Sequence, residues 1–203
     1  MARIVPHLWF QDSLAEAGRL TAVLFQFPFS FHYTPENRRY LDRLLAELHE
    51  LPRVVEFRNA EWLNTRVFDA LRERGVGFCS VDAPQLKGLP ASVDIVTSPL
   101  AYIRFHGRNE QTWWGSGAAA RFDYRYNGDE LKSWVGRIVS MLRGARVMRI
   151  YFNNHPPRAV SHECRNAQGA PWRGRDESPV EAASGTPGGA YQYRPLHVLG
   201  RGA

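Results

Sequence analysis

The sequence is poor in cysteine and lysine, and it lacks any long apolar run. Its two cysteines, Cys79 in a strand-like stretch and Cys164 in a polar one, lack the paired spacing of a disulfide framework or a zinc site. Cys79 is expected to be a small core residue. No stretch approaches the ~20 apolar residues of a membrane helix, so a membrane partner is not expected. The opening MARIVPHLWFQDSLAEAG has no basic segment followed by an apolar one, so no signal peptide is expected and the cytoplasm is the default location. Only Lys87 and Lys132 are lysine among 26 basic residues, so the formal net charge of +6 rests on arginine. A bias towards GC-rich arginine codons accounts for that without a polyanionic partner. The arginines are scattered, and several stand beside acids, as in Glu36-Asn37-Arg38-Arg39 and Arg72-Glu73-Arg74. Nucleic acid is therefore a partner to consider, but it is not favoured.

Five runs have the continuous apolar, β-branched or aromatic character of strands covered on both faces: Thr21–Gln26, Arg53–Phe57, Gly77–Val81, Ala101–Phe105 and Met148–Asn153. Helical patterns lie between them. Thr34 can cap a helix opened by Pro35 and Glu36, with Leu41, Leu44, Leu45 and Leu48 on one face. Asn64 can cap a second, with Val67, Phe68 and Leu71 inward and Gly75 as its stop. Asp129 to Arg143 predicts a third, with Leu131, Trp134, Val135, Ile138 and Leu142 inward. This alternation implies an α/β fold with a parallel sheet and helical crossovers. Residues 1–155 form the predicted domain. Residues 156–203, rich in Pro, Gly, Ser and Arg, read as a disordered or frame-shifted tail.

Each strand ends in polar residues at its C-terminal side: Gln26; Glu56 and Arg58, then Trp62; Ser80 and Asp82; Arg104 and His106; and Asn153, Asn154 and His155. Side chains alternate along a strand, so Glu56 and Arg58 share a face, as do Arg104 with His106 and Ser80 with Asp82. All three pairs are expected to converge over the mouth of a β/α barrel, where such enzymes keep their sites. The alternative is structural filling, with ion pairs such as Glu56–Arg104 or Asp82–Arg58 closing the barrel top. Desolvating so many ionisable groups is costly, which favours a site.

The successive motifs LFQFP, VVEFRNAEW, SVDAP, YIRFHGRN and YFNNH resemble those of the YecE-like family (domain-of-unknown-function family 72) from about Leu14 to His155. The resemblance implies a TIM-type barrel but no reaction, since the family's activity is not established. The family's Gly-rich opening motif and first strands have no counterpart here, so about five of eight strands are expected. After Val160 the alanine-rich closing helix is also missing. A late start codon and a shifted reading frame would explain both ends. Asn59 stands where the family usually has histidine.

Three functions remain open at this point. An enzyme acting on a small phosphate- or carboxylate-bearing substrate would use Arg58 and Arg104 as the clamp. Glu56 or Asp82 would be its base and His106 or His155 its acid, with Gln26, Trp62, Asn153 and Asn154 contacting substrate. A metal-dependent hydrolase or nucleic-acid-binding barrel would use Glu56, Asp82, His106 and His155 as oxygen and nitrogen donors. The third is a truncated, non-functional gene product. Metal, cofactor and oligomeric state are not assigned by the sequence.

Overall fold

The computed structural model describes residues 20–154 except residue 116, so the predicted tail and His155 lie outside the described residues. The elements alternate as β1 (Val23–Phe27), α1 (Pro35–Glu47), β2 (Arg53–Phe57), a 3₁₀ turn (Ala60–Trp62), α2 (Thr65–Glu73), β3 (Gly77–Asp82), β4 (Leu100–Phe105), the short α3 (Ala118–Arg121), α4 (Gly128–Leu142) and β5 (Val147–Phe152). The five strands form one sheet in the order β1-β2-β3-β4-β5, every neighbour parallel. Strand ends differ from the sequence reading by one or two residues: β1 starts at Val23, and β5 spans Val147–Phe152.

Two of the helices begin where their caps predict. Thr34 accepts a hydrogen bond from the Asn37 amide, and Asn64 from that of Val67. Asn127 caps α4 through a reciprocal capping box with Glu130. Gly75, with φ of 61°, follows α2 in the left-handed conformation that glycine adopts freely.

All three crossover helices cover the same face of the sheet. Leu41 and Leu45 of α1 and Val67, Phe68 and Leu71 of α2 pack with Val55, Phe57 and Phe78. Leu131, Trp134 and Met141 of α4 pack with Ala101, Ile103 and Phe105. The opposite face carries Val54, Cys79, Val81 and Tyr102. Helices on one face only, with strands in sequential order, distinguish this parallel sheet from a doubly wound one, which carries helices on both faces. The buried stripe of α4 differs from the predicted one. Met141 is buried, whereas Val135 and Leu142 are 45% and 37% exposed. The helix turns towards the sheet on a narrow seam because Trp134 takes up the space between α4 and Phe105, their rings 5.0 Å apart.

Candidate functional site

The strand register decides which polar residues meet. Parallel partners share a face, and Gln26 is paired with Glu56. Cys79 pairs with Tyr102, Val81 with Arg104 and Asp82 with Phe105. Glu56, Cys79 and Arg104 therefore point away from the helices, while Ser80 and Asp82 point towards them. The parity expectation holds for β2 and β4 and fails for β3, whose inward residues are Cys79 and Val81.

On the inner face Glu56 is fully buried and is the hub. One of its oxygens lies 2.6 Å from Arg58 Nε and 3.1 Å from His106 Nε2. The other accepts from Arg104 Nη1 at 2.7 Å and from the Cys79 thiol at 3.7 Å. Gln26 Oε1 accepts from both arginines, at 2.9 Å from Arg104 and 3.3 Å from Arg58. The Arg58 side chain is 12% exposed and that of Arg104 14%. Burial alone would raise the Glu56 pKa, but Arg58, then His106 and Arg104, outweigh it and hold the carboxyl well below the usual range. Burial, then the charge of Arg58, lowers the His106 pKa to about 4, so its imidazole is neutral at pH 7. The neutral tautomer follows: Nε2–H donates to Glu56, and Nδ1 accepts from the Asn153 amide at 3.3 Å. Burial, and next Glu56, push the Cys79 thiol well above its ordinary value, so it is an inert, weak donor.

A loop after β4 folds back over this cluster. Trp113, 2% exposed, lies 5.9 Å from the Arg58 guanidinium, and the Phe122 ring is 5.8 Å from His106.

Asp82 belongs to a second network, on the helix side. Arg108 grips it with two bonds of 2.8 and 2.6 Å. Tyr126 donates to Oδ1 at 2.7 Å and the Trp134 indole to Oδ2 at 2.6 Å. Four donors saturate this carboxylate, which leaves it no lone pair for base catalysis. The bond to Asp82 raises the Arg108 pKa, and burial raises that of Tyr126. Glu130 completes the network by pairing with Arg108 and accepting from Tyr124. A 240 Å³ cavity bounded by Asp82, Gln85, Arg108, Glu110 and Arg137 adjoins it.

The expected residues thus divide. Gln26, Glu56, Arg58, Arg104, His106 and Asn153 come together. Asp82 does not join them, so the anticipated Asp82–Arg58 pair is replaced by Asp82–Arg108. Trp62 is buried in the outer aromatic stack against Phe57, at 4.6 Å, and its indole donates to the Phe31 carbonyl. That position leaves no face for a substrate. Asn154 is buried, with its amide on the Tyr124 carbonyl. Asn59 caps the 3₁₀ turn and ties β2 to the Phe29 carbonyl at 2.9 Å. Of the three described donors considered for a metal, Glu56 and His106 meet and Asp82 faces the other way; His155 lies outside the described residues. Among the described residues no group of three or more His, Cys, Asp or Glu is placed to hold a metal ion. Arg108, Tyr126, Trp134 and Glu130 form a network that strand-end reasoning missed. Its sequence signal was the Asn127–Glu130 capping pattern, which marks where α4 starts beneath the β4 loop.

Comparison with known proteins gives one consistent result. The family model described as "Protein of unknown function DUF72" matches residues 7–170. A curated relative, UPF0759 protein YunF of Bacillus subtilis (strain 168), is 28% identical over 150 residues, covering 68% of this chain and 53% of its own length. The crystal structure of a DUF72 family protein from Thermotoga maritima superposes with a TM-score of 0.72 at 34% identity, covering 79% of this chain and 61% of that one. A DUF72 family protein from Enterococcus faecalis V583 superposes with a TM-score of 0.73 at 28% identity, covering 79% and 62%. The chain spans about half the length of the curated relative it matches. With fold, inner-face motifs and family model in agreement, the chain belongs to the DUF72 family.

Proposed function

We propose that Gln26, Glu56, Arg58 and Arg104 form a binding site for a small anion, a phosphate or carboxylate group, at the C-terminal ends of the strands. The observation that carries this reading is one of charge. Two guanidiniums share a single buried carboxylate while the neighbouring imidazole is neutral, which leaves one formal positive charge uncompensated in a nearly closed site. Holding such a charge away from water is costly unless an anion completes the pairing.

Glu56 then acts as the counter-ion that fixes both arginines, rather than as a general base. It is fully buried, and its oxygens are already occupied. Gln26 sets the spacing of the guanidiniums by accepting from both, and His106 orients Glu56 from behind. The arginine N–H groups without hydrogen bonds among the described residues are the ones left for ligand. Their planar forks suit the oxygens of phosphate or carboxylate.

Calorimetric titration of the chain with inorganic phosphate, acetate and succinate tests the proposal. At least one should bind saturably, and Arg104→Gln should weaken it by about 1.5–3 kcal/mol, as for a hydrogen bond to a charged group. Equal affinities for wild type and Arg104→Gln across the panel would refute the site.

A further inference from the structure

The loop between β4 and α4 brings two groups to the same end of the sheet that the anion site does not yet use. The first is Arg121. Its guanidinium lies 5.9 Å from the Trp113 ring, the same indole that Arg58 approaches to 5.9 Å. Its Nε is buried without a hydrogen-bond partner, and the side chain makes no ion pair among the described residues. The second is Trp114. It is 46% exposed, and among the described residues it is the one exposed large apolar side chain outside α4 and β5. Trp113 beside it in sequence is 2% exposed, so the loop buries one indole and presents the next.

Trp114 is held in place rather than left loose. Its ring meets that of Phe29 edge-on at 4.8 Å and 68°, an arrangement that leaves an indole face open. Phe29 follows β1, and its carbonyl is anchored by Asn59 at the end of β2. The open indole therefore stands at the same strand ends as Arg58, one residue along the chain from the indole that Arg58 approaches to 5.9 Å.

Counting charge sharpens the ligand. Arg121, with no ion pair among the described residues and the Trp113 indole in common with Arg58, adds positive charge beside the surplus that Arg58 and Arg104 hold over Glu56. A phosphate monoester dianion answers that added charge better than a carboxylate monoanion does. An exposed, pre-positioned indole is a stacking surface for a planar ring. Resting on the anion-site reading above, we propose that the ligand is a phosphate monoester joined to a planar ring, of the nucleoside 5′-monophosphate class. Arg121 is the third arm of the clamp, and Trp114 is the platform for the ring.

The test is equilibrium titration of the full chain with AMP, ribose 5-phosphate, adenosine and inorganic phosphate, followed by ligand NMR. AMP should bind about 5- to 100-fold more tightly than ribose 5-phosphate, the worth of one base stack. Trp114→Ala should erase that advantage and leave ribose 5-phosphate binding unchanged; the residue is exposed, so the fold is not at stake. Arg121→Gln should weaken AMP and ribose 5-phosphate together and leave adenosine unaffected. If ribose 5-phosphate matches AMP and Trp114→Ala changes nothing, the ring platform is refuted while the anion site stands. If adenosine binds as tightly as AMP, the dianion assignment is overturned. If no phosphate-bearing probe binds, both readings fall.

Discussion

Substituting His106 by glutamine should flatten the pH dependence of stability between about pH 6.5 and pH 4. His106 is fully buried, and its pKa in the folded protein is lowered to about 4 by burial and by Arg58. In the unfolded chain a histidine titrates near 6.5. As the pH falls through this window, the unfolded state takes up a proton that the folded state refuses, so stability is lost. The contribution is complete above about pH 6.5 and gone below about pH 4. A gap of about 2.5 pH units, at 1.36 kcal/mol each, corresponds to about 3 kcal/mol. Glu56 stays ionised throughout this window, because its own pKa lies well below the usual range, so the two effects separate. Urea denaturation at half-unit steps from pH 7.5 to pH 4, on wild type and His106→Gln, gives the difference curve. Glutamine retains a donor for Glu56 without the titrating ring. Wild type should lose about 3 kcal/mol more than the variant. Should His106→Gln fail to fold, the wild-type imidazole resonance can be titrated by NMR, with a midpoint near 4 expected. Parallel denaturation curves, or a midpoint near 6.5, would refute the reasoning.

Further outcomes follow from other parts of the structure. Glu56→Gln should destabilise the fold by about 3–5 kcal/mol by leaving Arg58 and Arg104 without their buried counter-ion, and thermal unfolding would show it. Because the Glu56 pKa is depressed, that deficit should be full above about pH 4.5 and shrink as the pH falls through the folded pKa. Gly107→Ala should cost about 2–4 kcal/mol in chemical denaturation. Its φ is 86°, and an added Cβ would lie 2.5 Å from that of Tyr124, so left-handed strain and overpacking combine. Val135, Val139 and Leu142 of α4 and Ile150 on the helix-side face of β5 are exposed, as are Val147 and Tyr151 on its inner face, and β5 is the last strand of the sheet among the described residues. An apolar strand edge of this kind invites pairing, so the 203-residue chain should sediment as an oligomer, which Ile150→Lys with Val139→Glu should dissociate. A monodisperse monomer of the unaltered chain would contradict this.

The fold was legible because its signals are local. Caps at Thr34 and Asn64, the leucine spacing of α1 and the unbroken apolar runs each fix one element, and strand–helix alternation fixes parallel pairing. The candidate cluster was legible on β2 and β4, where alternation put Glu56 with Arg58 and Arg104 with His106. It was misread on β3. In Cys79-Ser80-Val81-Asp82 either alternate set can face inward, and the polar ends of the other strands favour the polar set. The register reversed this, because Val81 lies beside Arg104 and Asp82 beside Phe105. What stabilises the outward Asp82 is Arg108, Tyr126 and Trp134, contacts that span up to 52 residues and leave no mark on local periodicity. Trp62 misled for a related reason. It follows the Glu56–Arg58 strand end, but the 3₁₀ turn swings it into the helix layer against Phe57.

The anion site itself is tested most directly by following the guanidinium Nε–H resonances of Arg58 and Arg104 by ¹⁵N NMR during titration with inorganic phosphate. Both side chains are largely shielded, and both are tied to Glu56 and Gln26, so each should give a resolved signal. The expected result is that the two signals move together and saturate with one midpoint, and that Arg104→Gln abolishes the response of Arg58. Signals that stay fixed, or that drift without saturating while surface arginines respond equally, would contradict an anion site at the mouth of this sheet.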